Sequence, residues 1–363
     1  MEIEDLKVLK KETSIFLILT FTLTYLLCFI LWFNLTQTSQ TLTMFAWKKM
    51  VFVLMTQLMM LIPAFSALIL NLYLFKRGNL IPKKAKIFFY YFFVLVGVYV
   101  VVTILVLWRL LTFPIVSIIT TTITLTGVLL IFILHLKKGW REELKKAKIF
   151  FGKPSLYLWF GLMLVGFYLL NSFLNCVFGF GIPVDVGKVK HLIFIPISLP
   201  VELLLPLIGF QMIIFGTIMG LPILFGEEFG WRIFLQERLT KIFGRVKGVL
   251  LLGVIWGLWH APIIMMGHNY PGYPIQGVFL MTLYTVNLSI LLGFAVFRSG
   301  NVWLPSFLHG INNQTLSYLT LYICKPIDPF YCFGLGLYGQ ILFVAVAATI
   351  LLGFKDWRVQ EKW

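Results

Sequence analysis

The sequence predicts an all-α protein, a polytopic bundle of about ten transmembrane helices. Hydrophobic residues make up 60% of its 363 residues and charged residues only 12%, and the mean hydropathy is +0.94. This composition excludes a water-soluble globular domain. The apolar residues also occur in stretches of about 20, the length that a helix needs to cross roughly 30 Å of hydrocarbon.

Ten apolar stretches, separated by short polar connections, are predicted as the spans. The first stretch is too long to be a signal peptide that is removed, and it lacks the small-residue cleavage site of one. We therefore count it as a span. In chain order the stretches lie at about Ser14–Phe33, Val51–Phe75, Ile87–Trp108, Phe113–Leu136, Leu156–Phe178, Leu205–Phe225, Val249–Met265, Ile275–Phe297, Val302–Leu321 and Phe333–Phe354.

The segment Leu192–Phe225 is too long for one straight crossing. It contains Pro200, Pro206 and Pro222, which remove backbone donors and bend helices. We therefore predict a surface or half-inserted piece followed by one true span. Glu202 lies at the predicted break, where a carboxylate at the head-group boundary is the plain interpretation and a part in substrate handling is the alternative.

Lysine and arginine collect in alternate connections, which predicts the orientation. Short cytoplasmic loops carry an excess of these residues, so five basic regions on one side place both termini in the cytoplasm. The net charge of +16 then reflects topology and attraction to anionic lipids, and no nucleic-acid partner is expected. The five regions contain Lys7, Lys10 and Lys11; Lys76, Arg77, Lys83, Lys84 and Lys86; Lys137, Lys138, Arg141, Lys145, Lys146, Lys148 and Lys153; Arg238, Lys241, Arg245 and Lys247; and Lys355, Arg358 and Lys362.

The basic stretch Lys137–Lys153 divides the chain into two unequal parts. Residues 1–152 hold four spans with almost no ionisable residues beyond their ends, which predicts an accessory or lipid-facing bundle. All candidate chemistry lies in residues 153–363. Cys324 and Cys332 flank a short loop that we place outside, where an oxidising compartment permits a disulfide, and the sequence leaves both the bridged and the free state open.

The run Gly226-Glu227-Glu228-Phe229-Gly230-Trp231-Arg232 places two carboxylates and an arginine at the end of an apolar stretch. Ionisable side chains at membrane depth are costly and are functional candidates by default. Glu228 and Arg232 have the i,i+4 spacing of a helical ion pair with the favoured order. Glu227 remains the freer carboxylate and a candidate general base. The alternative is a structural charge cluster at the cytoplasmic end of the helix.

Two further apolar stretches carry polar candidates. His260 follows Trp256 by four residues, so the imidazole and the indole share a helix face. A lone histidine of this kind is also typical of a satisfied core residue. His309 and Asn313 have the same spacing, and their donors can hold an oxyanion if they converge on one cavity.

Together these residues resemble the CPBP family of intramembrane proteases, which includes CAAX prenyl endopeptidases and relatives linked to bacteriocin immunity. The family pattern appears here as Glu227-Glu228-x-x-x-Arg232, Trp256-x-x-x-His260 and His309-x-x-x-Asn313, in the family's order. Trp256 stands where Phe is commoner, a change that we expect to alter packing more than chemistry. The resemblance covers roughly residues 153–363.

The resemblance implies an endopeptidase that acts on a membrane-associated substrate, of which a prenylated CAAX-type C-terminal peptide is the leading class. Glu227 and His260 would position and deprotonate a water, and His309 and Asn313 would stabilise the oxyanion, with Glu228, Arg232 and Trp256 in support. It favours chemistry without a metal; if zinc is used, Glu227, His260 and His309 would be its ligands. With a CAAX-type substrate, the cavity would open to the cytoplasm and to lipid.

Two other functions stay open. A transporter also places ionisable residues in spans, although paired halves with matching broken helices are not evident. A non-catalytic scaffold or bacteriocin self-immunity protein of the same fold is the main alternative. Helix arithmetic also raises a difficulty, because His260 lies roughly 18 Å beyond Gly248 whereas His309 lies about 10 Å beyond Val302. For both to meet Glu227 near the cytoplasmic end, the seventh helix must begin outside the hydrocarbon or tilt.

Overall fold

The computed structural model describes residues 3–36, 42–75, 81–185 and 200–358, and most of them are helical. The predicted all-α class is therefore confirmed. In chain order the helices are α1 (Ile3–Thr36), α2 (Leu42–Ile69), α3 (Lys83–Leu107), α4 (Phe113–Leu136), α5 (Arg141–Lys146), α6 (Pro154–Val177), α7 (residues 201–243), α8 (Arg245–Trp259), α9 (Ala261–Met265), α10 (Gln276–Ser299), α11 (Trp303–Tyr322) and α12 (Leu337–Gly353).

The ten predicted spans all fall on helices, although the seventh, Val249–Met265, is divided between α8 and α9 at His260. Seven described helices are long and apolar enough to cross a membrane: α1, α2, α3, α4, α6, α7 and α10. Two others are short, with 15 residues in α8 and 17 in α12, and α11 carries the polar residues of the third motif. Large apolar side chains such as Trp159 (68% exposed) and Phe279 (74% exposed) cover the outer surface. The protein is an integral membrane protein, and the count of ten spans is approximate.

The long helix α7 differs from the prediction. It is continuous over residues 201–243, with π-helical turns at Gln211–Phe215 and Phe229–Leu235. Pro206 and Pro222 lie inside it without ending it, because covered helices in membranes tolerate proline through neighbours and local π adjustments. The predicted break at Pro200 is where the helix begins, and the predicted piece upstream of it, 192–199, lies outside the described residues.

The Glu-Glu motif consequently lies within α7. The sequence had led us to expect it at the end of a span. The helix continues because the following turn, Phe229–Leu235, is fully buried and almost wholly apolar. Its one charged member, Arg232, is neutralised by Glu228. A glycine in the left-handed region, Gly244 (φ 81°), then turns the chain directly into α8.

The bundle has two distinct ends. At one, which we call the basic end, Lys148 pairs with Glu237 at 2.7 Å and Arg298 pairs with Asp356 at 3.5 Å. At the other, the sheet end, the strands β1 (Gly181–Pro183) and β2 (Cys324–Pro326) form an antiparallel pair. The predicted basic connections that the structure describes all lie at the basic end.

Helices of the predicted accessory bundle pack directly on the motif helix. A Cβ on Gly226 would stand 2.5 Å from the carbonyl oxygen of Met60, and one on Gly230 would stand 2.4 Å from Cβ of Pro63. These two glycines, four residues apart, let the α2 backbone approach α7 closely, as small residues do between membrane helices. The division of the chain at residue 152 stays a prediction.

All four cysteines are free thiols. Cys324 and Cys332, for which the sequence left a disulfide open, are both buried at the sheet end.

Candidate active site

Glu228 is the centre of a buried polar network. Its Oε2 accepts a hydrogen bond from Arg232 Nε at 2.9 Å, which is the ion pair that the i,i+4 spacing predicts. Its Oε1 pairs with His309 Nδ1 at 2.7 Å. Arg232 also donates from Nη1 to the hydroxyl of Ser289 on α10 at 3.0 Å. Removing Arg232 would leave the buried Glu228 carboxylate without its ionic partner, which is strongly destabilising.

Trp256 on α8 connects this network to the second carboxylate. Its indole nitrogen donates to Glu227 Oε2 at 2.9 Å, and the guanidinium carbon of Arg232 lies 4.7 Å from the centre of its rings. His309 meets the same indole edge-on, with ring centroids 5.4 Å apart. We expected tryptophan at this position to alter packing more than chemistry; the structure gives its N–H a direct hydrogen bond to the candidate base.

His260 follows the last residue of α8 and directly precedes the short helix α9, whose second residue is Pro262. Its Nδ1 lies 2.8 Å from the carbonyl oxygen of Trp256. Because a carbonyl only accepts, Nδ1 must carry the hydrogen, and Nε2 of the neutral ring is left as an acceptor.

The four predicted catalytic residues line one cavity of about 340 Å³: Glu227, His260, His309 and Asn313. Glu228 and Arg232 do not line it and lie behind Glu227 and His309. The two adjacent carboxylates thus have different surroundings, one facing the cavity and one held by ionic partners.

The position of Glu227 within α7 accounts for part of the difficulty in helix arithmetic. Glu227 lies 16 residues before the end of α7 at Phe243, and His260 lies 15 residues after the start of α8 at Arg245. Since the two helices are joined by Gly244 alone, these residues reach similar depths on neighbouring helices, and the predicted position of Glu227 near the helix end was wrong. His309 lies only 6 residues after the start of α11 at Trp303 yet lines the same cavity, so α8 begins farther toward the basic end than α11 or is tilted, as the arithmetic required.

A second polar network was missed by the sequence analysis. Asn312 accepts hydrogen bonds at Oδ1 from the hydroxyls of Tyr168 and Tyr284, the latter at 2.7 Å. It donates from Nδ2 to Oδ1 of Asn313 at 3.0 Å. The amide nitrogen of Asn313 is thereby left as the donor on the cavity side. A doubled asparagine in an apolar helix was the available signal, whereas the tyrosines and Ser289 were indistinguishable from ordinary residues of a span.

The cavity runs toward the sheet end. Beyond the four candidate residues it is lined by His268 and Asn269 of the α9–α10 loop and by Leu335 of the β2–α12 loop. We expected an opening on the cytoplasmic side, where the basic connections lie. Among the described residues, the basic end of the site is instead filled by buried side chains, which are Arg232, Gln236, Trp231 and Trp303.

The described residues do not form a metal centre. None of their His, Cys, Asp and Glu side chains stand in groups of three or more that could hold a metal ion. The possible zinc ligands Glu227, His260 and His309 each engage one atom in another hydrogen bond and keep a second one, which is Oε1 of Glu227 and Nε2 of each imidazole. Such bonds on the far side of a ligand also occur at metal sites, so chemistry without a metal stays a prediction.

The fold and the site define a class of protein, an integral membrane protein whose helical bundle holds a buried carboxylate and a buried imidazole beside an amide that lines the same cavity. Residues 209–315, which contain all seven predicted site residues, match the family model described as Type II CAAX prenyl endopeptidase Rce1-like. The family resemblance is thereby confirmed for this segment. The chain is also 36% identical over 44 residues to CAAX prenyl protease 2 of Methanococcus maripaludis.

That alignment covers 12% of this chain and 16% of the relative's length. No solved structure matches the chain. The comparisons therefore relate the segment that carries the site to this family, and the spans before it are outside the matched region.

Proposed function

We propose that the protein is an intramembrane endopeptidase, which hydrolyses a peptide bond of a membrane-associated substrate with a water activated by Glu227 and His260. One observation carries the proposal. A carboxylate, two imidazoles and an amide face the same cavity, while the second carboxylate is paired behind them. A charge cluster that only held helices together would not need to present these groups to one space.

In the first step, Glu227 acts as the general base. The hydrogen bond from Trp256 fixes one carboxylate oxygen, so the group is oriented before substrate arrives. A water between Glu227 and Nε2 of His260 gives its proton to the carboxylate as its oxygen attacks the substrate carbonyl carbon. The carbonyl electron pair moves onto the oxygen and forms an oxyanion.

His309 and Asn313 are the proposed donors to that oxyanion. Asn313 donates from its amide nitrogen, because its oxygen is engaged by Asn312. His309 gives Nδ1 to Glu228, so it donates from Nε2 only as an imidazolium, which the Glu228 carboxylate stabilises. Donors that are held in place before the reaction are usually the largest electrostatic contribution to such catalysis. Collapse of the intermediate expels the amine, which takes the proton from Glu227.

The substrate class that the matched family suggests is a CAAX-type C-terminal peptide with a prenyl group. No metal ion is needed for the steps above.

The proposal is tested with purified protein in liposomes and two quenched fluorescent peptides of one sequence, one farnesylated and one anchored by an acyl chain. We expect cleavage of at least one peptide, located by mass spectrometry, at a rate that a zinc chelator leaves unchanged. Failure of well-folded protein to cleave either would favour the non-catalytic alternative. Activity lost with the chelator and restored by zinc would contradict the metal-free mechanism.

A further inference from the structure

We propose that substrate reaches Glu227 from the sheet end and that this end faces away from the cytoplasm, so the substrate is an extracytoplasmic, membrane-associated peptide segment. The inference rests on the proposed function and narrows its substrate. A cytoplasmic prenylated C-terminus would have to enter from the opposite end of the bundle.

The direction of the cavity follows from its lining. On α11 the lining residues after His309 are Asn312, Asn313, Leu316 and Ser317, each farther from the basic end. On α10 they run from Leu288 through Tyr284 to Met281, also toward the sheet end. The loop residues His268, Asn269 and Leu335 complete the lining at that end.

A second cavity of about 610 Å³ continues the path at the sheet end. Four residues, Asn269, Leu316, Ser317 and Leu335, line both cavities. Polar side chains from α6 and β2, including Ser172 and Lys325, line the outer one. The mixture of apolar walls with amide, hydroxyl and ammonium groups suits an extended peptide, whose backbone needs hydrogen-bond partners while its side chains are desolvated.

The opposite route is closed among the described residues. Gln236, one turn beyond Arg232 on α7, is 1% exposed and donates to the carbonyl oxygen of Gly293. Trp303, at the start of α11, is also 1% exposed and donates to the carbonyl oxygen of Ile149 at 2.7 Å. Substrate entry from the basic end would require these packed groups to separate.

The distribution of basic residues identifies the two sides. Of the 25 lysines and arginines that the structure describes, 20 lie at the basic end, four at the sheet end, and Arg232 in the site. The four are Lys48, Lys49, Arg109 and Lys325. Since cytoplasmic loops carry the excess of Lys and Arg, the basic end is cytoplasmic and the cavity faces the other side.

The test introduces one additional cysteine at a time and labels it in intact cells with a membrane-impermeant maleimide. Ser317→Cys, at the junction of the two cavities, should react without permeabilisation, above the background of the parent protein, which carries the four native cysteines. The control Lys145→Cys, at the basic end, should react only after the membrane is opened. Thr320→Cys, which lines the outer cavity, replaces Ser317→Cys if that variant is poorly produced.

Labelling of the cavity cysteine only after permeabilisation, with Lys145→Cys reacting from outside, would overturn the inference. The labelling needs no catalysis, so it separates the two proposals. External labelling in a protein that cleaves no peptide would support the orientation and contradict the proposed function. In an active protein, attaching a bulky maleimide to Ser317→Cys from outside should abolish cleavage of an externally added peptide. Unchanged cleavage would show that substrate takes another route.

Discussion

The indole nitrogen of Trp256 donates a hydrogen bond to Oε2 of Glu227 at 2.9 Å. This bond joins the second motif to the first and orients the candidate base. The same indole contacts the Arg232 guanidinium and the ring of His309. One side chain therefore sets the positions of the groups that face the cavity and of those that lie behind it.

Trp256→Phe should keep the fold and lower kcat by about 10- to 100-fold, because a hydrogen bond to a charged group contributes roughly 1.5–3 kcal/mol. Steady-state cleavage kinetics would measure the effect, with KM nearly unchanged. Trp357→Phe is the matched control: it removes an indole bond to the Ile350 carbonyl oxygen near the basic end and should leave kcat at the wild-type value. An equal loss in both variants would assign Trp256 a packing role only.

Arg232→Met should destabilise the protein by about 3–5 kcal/mol, because it leaves Glu228 as an uncompensated buried charge. Unfolding followed in detergent would give the change in free energy. The control Arg298→Met removes an ion pair whose arginine is 42% exposed, and such pairs contribute about 0–1 kcal/mol. If the two variants unfold alike, the Glu228–Arg232 pair does not hold the site together.

Asn313→Ala should reduce kcat by about 10²–10³ with little change in KM, which is typical of losing one oxyanion donor. Rates measured over a range of peptide concentrations would separate the two constants. A rise in KM at unchanged kcat would instead place Asn313 in ground-state binding of the substrate.

The sheet-end loop after β2 should depend on pH through Asp328. The Tyr273 hydroxyl donates to this carboxylate at 2.7 Å, and this bond lowers the pKa of Asp328 below its usual value of 3.8, with help from the backbone N–H groups of Phe330 and Tyr331. A depressed pKa contributes stability that is present above the unfolded pKa and is lost as the pH falls through the folded pKa.

Hydrogen–deuterium exchange of residues 327–336, corrected for intrinsic rates, should therefore rise below about pH 4. Tyr273→Phe removes the hydroxyl, so the Asp328 pKa should move back toward its usual value and the rise should begin at higher pH. Identical exchange profiles for the variant and the parent protein would show that the bond does not order the loop.

Local patterns predicted the fold class and part of the site. Hydropathy located a helix in every predicted span, and the i,i+4 rule found the Glu228–Arg232 pair, because both depend on residues close in sequence. Contacts between distant helices were not predictable in this way. The bond from Trp256 to Glu227 joins α8 to α7, and Met59 and Met60 of α2 enter the cavity lining from a part of the chain that we treated as accessory.

The continuity of α7 was missed for a different reason. Prolines and adjacent charges ordinarily mark the end of a helix in water. Within this bundle, neighbouring helices cover Pro222 and the Glu228–Arg232 pair satisfies the charges. Burial therefore overrides the local signals, and the depth of Glu227 within α7 was missed with them.

The most direct test of the central claim compares Glu227→Gln with Glu202→Gln in a liposome cleavage assay. Both remove one carboxylate from α7, but Glu202 is exposed and lies in the first turn of this helix, at the sheet end. We expect Glu227→Gln to fold and to lose at least 10²-fold in kcat, the typical contribution of a general base, while Glu202→Gln retains wild-type turnover. Turnover by well-folded Glu227→Gln at the wild-type rate would contradict the proposed role of Glu227.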